Sequence, residues 1–168
     1  MKSIILMGIF SFIGNLFAGT QGNAITVDKL SAKELEVISS QVNVGKAIVE
    51  KYLGENETYT EHDIDSAIQN WRKSNEPNKE SPDYLIENLG SLLGSILVNR
   101  EVLMWCLWTD KRGADLCVTH KEIQVQTFPH SSIYKAVIEG REFALEDVTR
   151  TLKEQIDENI SNSEIQTH

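Results

Sequence analysis

Apolar and polar residues recur with two different periods along the chain, and the changes of period divide it into segments. From residue 31 to about residue 99 the apolar positions return at helical spacing, from 102 to 129 at every second residue, and from 131 to 160 at helical spacing again. The first helix starts at Ser31, whose hydroxyl caps it, and Glu34 completes a capping box three residues on. Leu35, Ile38, Val42, Ile48, Val49 and Tyr52 or Leu53 form an imperfect stripe, interrupted near Gly45 and stopped by Gly54. A second helix begins at Thr60, with Glu61 and Asp63 where the helix dipole favours negative charge, and Ile64, Ala67, Ile68 and Trp71 share one face.

Ser81-Pro82-Asp83 opens the third helix with a capping hydroxyl, a proline at the first helical position and an acid behind it. Leu85, Leu89, Leu92, Leu93, Ile96 and Leu97 make it the central core helix. Gly90 and Gly94 sit four residues apart on it, and that spacing predicts another element packed close against the helix.

The period of two then predicts three short antiparallel strands. Leu103–Thr109 and Ala114–Thr119 form a hairpin through Asp110-Lys111-Arg112-Gly113, and Ile123–Phe128 follows, ending at Pro129. Pairing Thr109 with Ala114 gathers Leu103, Trp105, Leu107, Leu116, Val118, Ile123 and Val125 on one apolar face that needs a helical layer over it. The same register sets Cys106 opposite Cys117. With a four-residue loop they form a non-hydrogen-bonded pair, close enough for a disulfide; a tighter loop would disfavour the bridge, and two buried thiols are the alternative. Ser131 caps a short helix ended by Gly140. A final helix carries Leu145, Val148, Leu152 and Ile156, and a polar tail runs from 161 to 168. The fold class is α+β: a small three-stranded antiparallel sheet against several helices, preceded by a helical N-terminal half, all in one domain over 31–160.

The N-terminus reads differently from the domain. Lys2 precedes the apolar run 4–13 and a small residue at Ala18, the layout of a secretory signal peptide over 1–18, with Ala24 as a second cleavage point. The competing readings are a retained anchor and a packing element, although the run is shorter than the ~20 residues of a stable span. A polar lead-in over 19–30 follows. Export favours the disulfide.

Composition narrows the function classes. The 168 residues are 40% apolar and 24% charged, which suits one globular domain and not a disordered chain. A net charge of -9 without a long basic run makes a nucleic-acid partner or an anionic membrane surface a poor expectation.

Little catalytic chemistry emerges. His62, His120, His130 and His168 stand in no metal-ligand spacing, so no metal or cofactor is indicated. No nucleophile elbow or phosphate-binding glycine motif occurs. Ser131 and Ser132 lie beside His130 but where a helix cap is expected, and Glu61, Asp63 and Asp65 are accounted for by a helix start. No catalytic residue is assigned. The mixed second sheet face is the exception: Met104, Trp108 and Phe128 beside Gln124 and Gln126 have the composition of a surface for a protein or small-molecule partner. Burial of that face under the N-terminal helices or the flank around Trp71 is the bland alternative.

From about Asp83 to Asp157 the chain resembles the uncharacterised bacterial family known as Domain of Unknown Function 3806. The resemblance rests on Leu89-Gly90-x-x-x-Gly94, Trp105, Asp110-x-x-Gly113, an apolar second strand, and Phe128-Pro129-x-Ser131-Ser132 leading to Lys135. The cysteine pair and Trp108 depart from it. It implies a small α+β domain and supplies no catalytic residues.

Together these readings favour a noncatalytic secreted or periplasmic domain that binds a protein or small ligand, with an inhibitor or immunity-type role as one form. A small envelope hydrolase with a site assembled from dispersed Asp, Glu and His residues is the alternative, and a structural envelope component is a third class.

Overall fold

A computed structural model describes residues 25–100, 102–123, 125–140 and 145–165. The expected signal peptide over 1–18, both cleavage points and Gln124 lie outside the described residues. The element order is β1 (Thr26–Lys29), α1 (Ala32–Leu53), α2 (Glu61–Lys73), α3 (Pro82–Arg100), β2 (Leu103–Asp110), β3 (Gly113–His120), β4 (Gln126–Thr127), α4 (Pro129–Val137) and α5 (Leu145–Ile165).

Each helix start follows from local chemistry. Ser31 and Glu34 form the capping box of α1, and Thr60 and Asp63 form an equivalent box at α2. At α3 the Ser81 hydroxyl accepts from the Tyr84 N–H at 3.3 Å. Gly45 does not interrupt α1. It is the point where α3 crosses, because a Cβ there would stand 2.6 Å from the Asn88 carbonyl oxygen. At Gly54, φ is +96°, and the helix stops there as expected.

Among the described residues the sheet has four antiparallel strands in the order β1-β2-β3-β4, one more than the alternation predicts. The extra strand lies in the lead-in, where Thr26-Val27-Asp28-Lys29 is too short and too polar to show a period. It pairs with β2 from Thr26↔Thr109 to Lys29↔Cys106, and all four of its residues are exposed. The hairpin register is the expected one, with Thr109↔Ala114 and Cys106↔Cys117, but Asp110 also pairs with Gly113, so the loop is two residues long. Alternation from that closing pair makes the cysteines a hydrogen-bonded pair instead of a non-hydrogen-bonded one. They nonetheless stand at disulfide distance, with Cα atoms 5.0 Å apart. The last strand shrinks to two residues because the chain turns at Ile123, whose carbonyl accepts from the Val125 N–H at 2.8 Å.

The core forms where α3 meets the sheet. Leu85, Leu89, Leu93 and Leu97 are fully buried, and Leu103, Trp105, Leu107, Leu116, Val118 and Val125 present the apolar sheet face to the helical layer, with Ile123 half-buried beside them. The two helix glycines admit aromatic rings: His130 lies against Gly90 and Trp105 against Gly94. Polar ties join the helices at the periphery. Arg100 contacts both oxygens of buried Glu61, at 2.6 and 2.8 Å, and Thr149 donates to the same carboxylate, linking α2, α3 and α5. Asp65 on α2 accepts the N–H of Leu145 at the start of α5. α5 continues to Ile165, five residues beyond the periodic stretch.

Candidate functional site

The second sheet face is not covered by the N-terminal helices at the hairpin tip. Trp108, Asp110 and Asp115 project from the same face there as Cys106 and Cys117, because side chains two residues apart in a strand share a face. Beside them the chain leaves β4 through Phe128 and enters α4. A groove of about 590 Å³ opens between the hairpin tip and α4, a size within the range of ligand sites. Its walls carry Trp108, Phe128 and Gln126 together with Asp115, Ser131 and Lys135. Arg112 and Ser132 also line it.

The aromatic wall is fixed by contact between its two rings. Trp108 and Phe128 meet edge to face, with centroids 5.9 Å apart and planes at 87°. Cross-strand pairing puts Asp115 directly opposite Trp108.

α4 supplies the other wall because it begins earlier than the serine cap predicts. Pro129 occupies its first turn and Phe128 its N-cap, without a side-chain cap bond. Ser131 therefore falls inside the helix, and its hydroxyl donates to the Asp115 carboxylate at 3.3 Å. Burial pushes the Asp115 carboxyl above its ordinary range, opposed by the Ser131 hydroxyl and the Leu116 N–H. Ser132 donates back to the Phe128 carbonyl at 3.3 Å.

Three of the five residues proposed from sequence as a partner surface, Trp108, Gln126 and Phe128, come together in this groove. Met104 lies farther along β2, half-buried opposite Thr119 and outside the lining. Trp71 does not approach the groove. It is buried between helices, and its indole N–H donates to the Glu80 carbonyl at 2.9 Å. Alternation puts Asp115 on the face of Trp108 without singling it out, and Ser131 and Lys135 lie beyond the reach of that alternation, on α4. The Phe128-Pro129-x-Ser131-Ser132 stretch leading to Lys135 was the signal for those two, and Asp115 carried one as a charge on a largely apolar strand.

His120, His130, Glu61, Asp63 and Asp65 each make contacts within the fold, and His168 lies outside the described residues. His120 Nδ1 accepts from the N–H groups of Glu122 and Ile123 and so closes the turn after β3. His130, in the first turn of α4, is buried against α3, with Nε2 3.2 Å from the Glu87 carbonyl and 3.3 Å from the Ser91 hydroxyl. Ser91 donates its proton to Gln41 at 2.8 Å, so it is held as a structural hydroxyl. Glu61, Asp63 and Asp65 are engaged by Arg100, the Thr60 cap and the Leu145 N–H respectively. Among the described residues no group of three His, Cys, Asp or Glu side chains could hold a metal ion, and no helix is long and apolar enough to cross a membrane.

The family model described as "Domain of unknown function (DUF3806)" matches residues 64–148, a stretch that contains α3, the hairpin, the groove and α4. No curated protein and no solved structure matches the chain.

Proposed function

Because the chain belongs to the DUF3806 family, a domain family without an assigned function, we propose a role from its own surface: an exported, noncatalytic binding domain whose ligand enters the groove between the hairpin tip and α4. The Trp108–Phe128 pair carries this reading, since it holds two half-buried aromatic rings in a groove beside an acid. Aromatic area with a few fixed polar groups is the usual composition of a recognition site. The net charge of -9 suits a basic partner, which it would attract over distances comparable to the Debye length. Export is supported by Lys2 with the apolar run behind it and by the cysteines at disulfide distance.

A thermal-unfolding screen of peptides and small molecules tests the binding role. Compounds that stabilise the wild-type protein and leave Trp108→Ser unshifted are the expected result. Shifts indifferent to Trp108→Ser, or turnover of a compound that Asp115→Asn abolishes, would overturn the reading. Export is tested by intact mass of the protein from its native cells: loss of about two dozen N-terminal residues or slightly fewer is expected, with a further deficit of about 2 Da for bridged thiols. A full-length reduced chain would overturn it.

A further inference from the structure

β3 is eight residues long and its outer neighbour β4 is two, so the ladder on that side pairs only Val118 with Thr127 and Thr119 with Gln126. The direction of the remaining backbone groups follows from alternation. The His120 N–H donates outward to the Val125 carbonyl at 3.0 Å, and in an antiparallel strand every second residue points its N–H and C=O to the same side. Val118, Leu116 and Ala114 therefore face outward with His120. Val118 meets β4; Leu116 and Ala114 have no strand partner among the described residues. The Leu116 N–H favours the ionised Asp115 carboxyl, and no described strand on this side takes the Leu116 carbonyl or either backbone group of Ala114.

This unpaired stretch borders the groove. Gly113, Ala114 and Asp115 line one side, and Ser131, Ser132 and Lys135 of α4 line the other. At about 3.3 Å per residue, positions 113 to 116 offer roughly 13 Å of strand edge. β4 cannot be prolonged to cover it, because Phe128 turns the chain away and Pro129 has no N–H to donate. A segment lying along the edge would continue the line of β4, with every second side chain directed at the face that bears Trp108 and Asp115.

We infer that the groove receives an extended peptide segment carrying a lysine or arginine, which pairs with the open edge of β3 in line with β4. The unpaired acid at Asp115 selects the basic side chain; the lining as a whole is balanced, with Asp110 and Asp115 against Arg112 and Lys135. Asp115 is half-buried, has no cationic partner among the described residues, and stands cross-strand from Trp108, so a cation reaching it lies beside an indole ring. Main-chain pairing would supply register, and the Asp115–Trp108 pair would choose the residue. The inference rests on the groove being the binding site.

The probe is a fluorescein-labelled nonapeptide of alternating valine and lysine, followed by anisotropy. Two companions separate the contributions: one with glutamate for lysine, and one N-methylated at every second amide. Saturable binding is expected for the first, with affinity about tenfold or more weaker for each companion. Asp115→Asn should weaken the lysine peptide by about tenfold and abolish its advantage over the glutamate peptide. Ala114→Pro removes only an outward N–H and should weaken binding while leaving the unfolding temperature near wild type. The N-methylated peptide removes the reciprocal donors, the peptide N–H groups that would reach the Ala114 and Leu116 carbonyls, without altering the protein. Equal binding of all three peptides would overturn strand addition, as would self-association abolished by Ala114→Pro, which would make a second copy the occupant. If no peptide binds while small molecules still give Trp108-dependent thermal shifts, this inference falls and the binding role stands; if neither occurs, both fall.

Discussion

The indole of Trp105 fills the space that a side chain on Gly94 would need, so the apolar face of the sheet rests directly on the backbone of α3. Four residues earlier the imidazole of His130 does the same over Gly90 and seats α4 on the same helix. The two glycines set how closely the sheet and α4 approach α3. They thereby help to fix the walls of the groove.

Gly94→Ala is expected to destabilise the protein even though alanine is the better helix former by about 1 kcal/mol. The added methyl overlaps the Trp105 ring, and overpacking of this kind costs about 1 to 3 kcal/mol net of what the core can absorb. Urea unfolding measures the loss. Combining Gly94→Ala with Trp105→Leu should cost less than the sum of the two single changes, since the smaller side chain vacates the contested space. Additive costs would show that the ring is not the obstacle.

Arg100→Met should be costly for a different reason. Glu61 is 2% exposed and would keep only the Thr149 hydroxyl among the groups that hold its carboxylate. Leaving a buried charge without its cation costs roughly 3 kcal/mol, less to the extent that half-exposed Arg100 is replaced by water. The double variant Glu61→Gln with Arg100→Met should recover part of that loss in urea unfolding. A single variant as stable as wild type would mean that the pair contributes nothing to the tie between α2 and α3.

What the sequence disclosed about this molecule depended on the reach of each signal. Caps, helix faces and the hairpin register were legible because each is decided within a few residues: Ser31 by Glu34, the register by which face of Leu103–Thr109 is apolar. β1 was not legible, because its strand character comes from pairing with β2, between Lys29↔Cys106 and Thr26↔Thr109, 77 to 83 positions away. The last strand was overestimated at Ile123, where a turn overrides an alternation of apolar residues. In the site, the aromatic members stood out as apolar residues on a mixed face. Asp115 and Ser131 did not, because their meaning comes from a contact made only when α4 begins at Pro129 and not at a serine cap.

Removing the staple in the hairpin should loosen both the fold and the groove. Cys106 and Cys117 are separated by 11 positions, and a loop of that size confers about 3 kcal/mol in the chain-entropy account. The Cys106→Ala, Cys117→Ala double variant is expected to lose about that much in urea unfolding relative to the oxidised protein, with no change on adding reductant. Trp108 and Asp115 sit one same-face pair beyond the bridge, so a ligand that shifts the wild-type unfolding temperature should shift the variant less.

Acid should destabilise the protein through His130 before it acts on most carboxylates. Burial lowers the His130 pKa from 6.5 to about 4, because the charged ring would lose water and gain only the Glu87 carbonyl. The sign follows from proton counts: between pH 6.5 and 4 the unfolded chain binds a proton at this site and the folded chain does not, so stability falls as pH falls. It is complete above about pH 6.5 and diminishes toward pH 4, by roughly 3 kcal/mol in total. Asp65 and Asp115, whose carboxyls burial pushes upward, act in the opposite direction over the low end of this window. The comparison that isolates His130 is therefore the difference between wild type and His130→Gln, measured by urea unfolding at several pH values. The wild type should lose stability relative to the variant across the window, and parallel pH profiles would remove His130 as the cause.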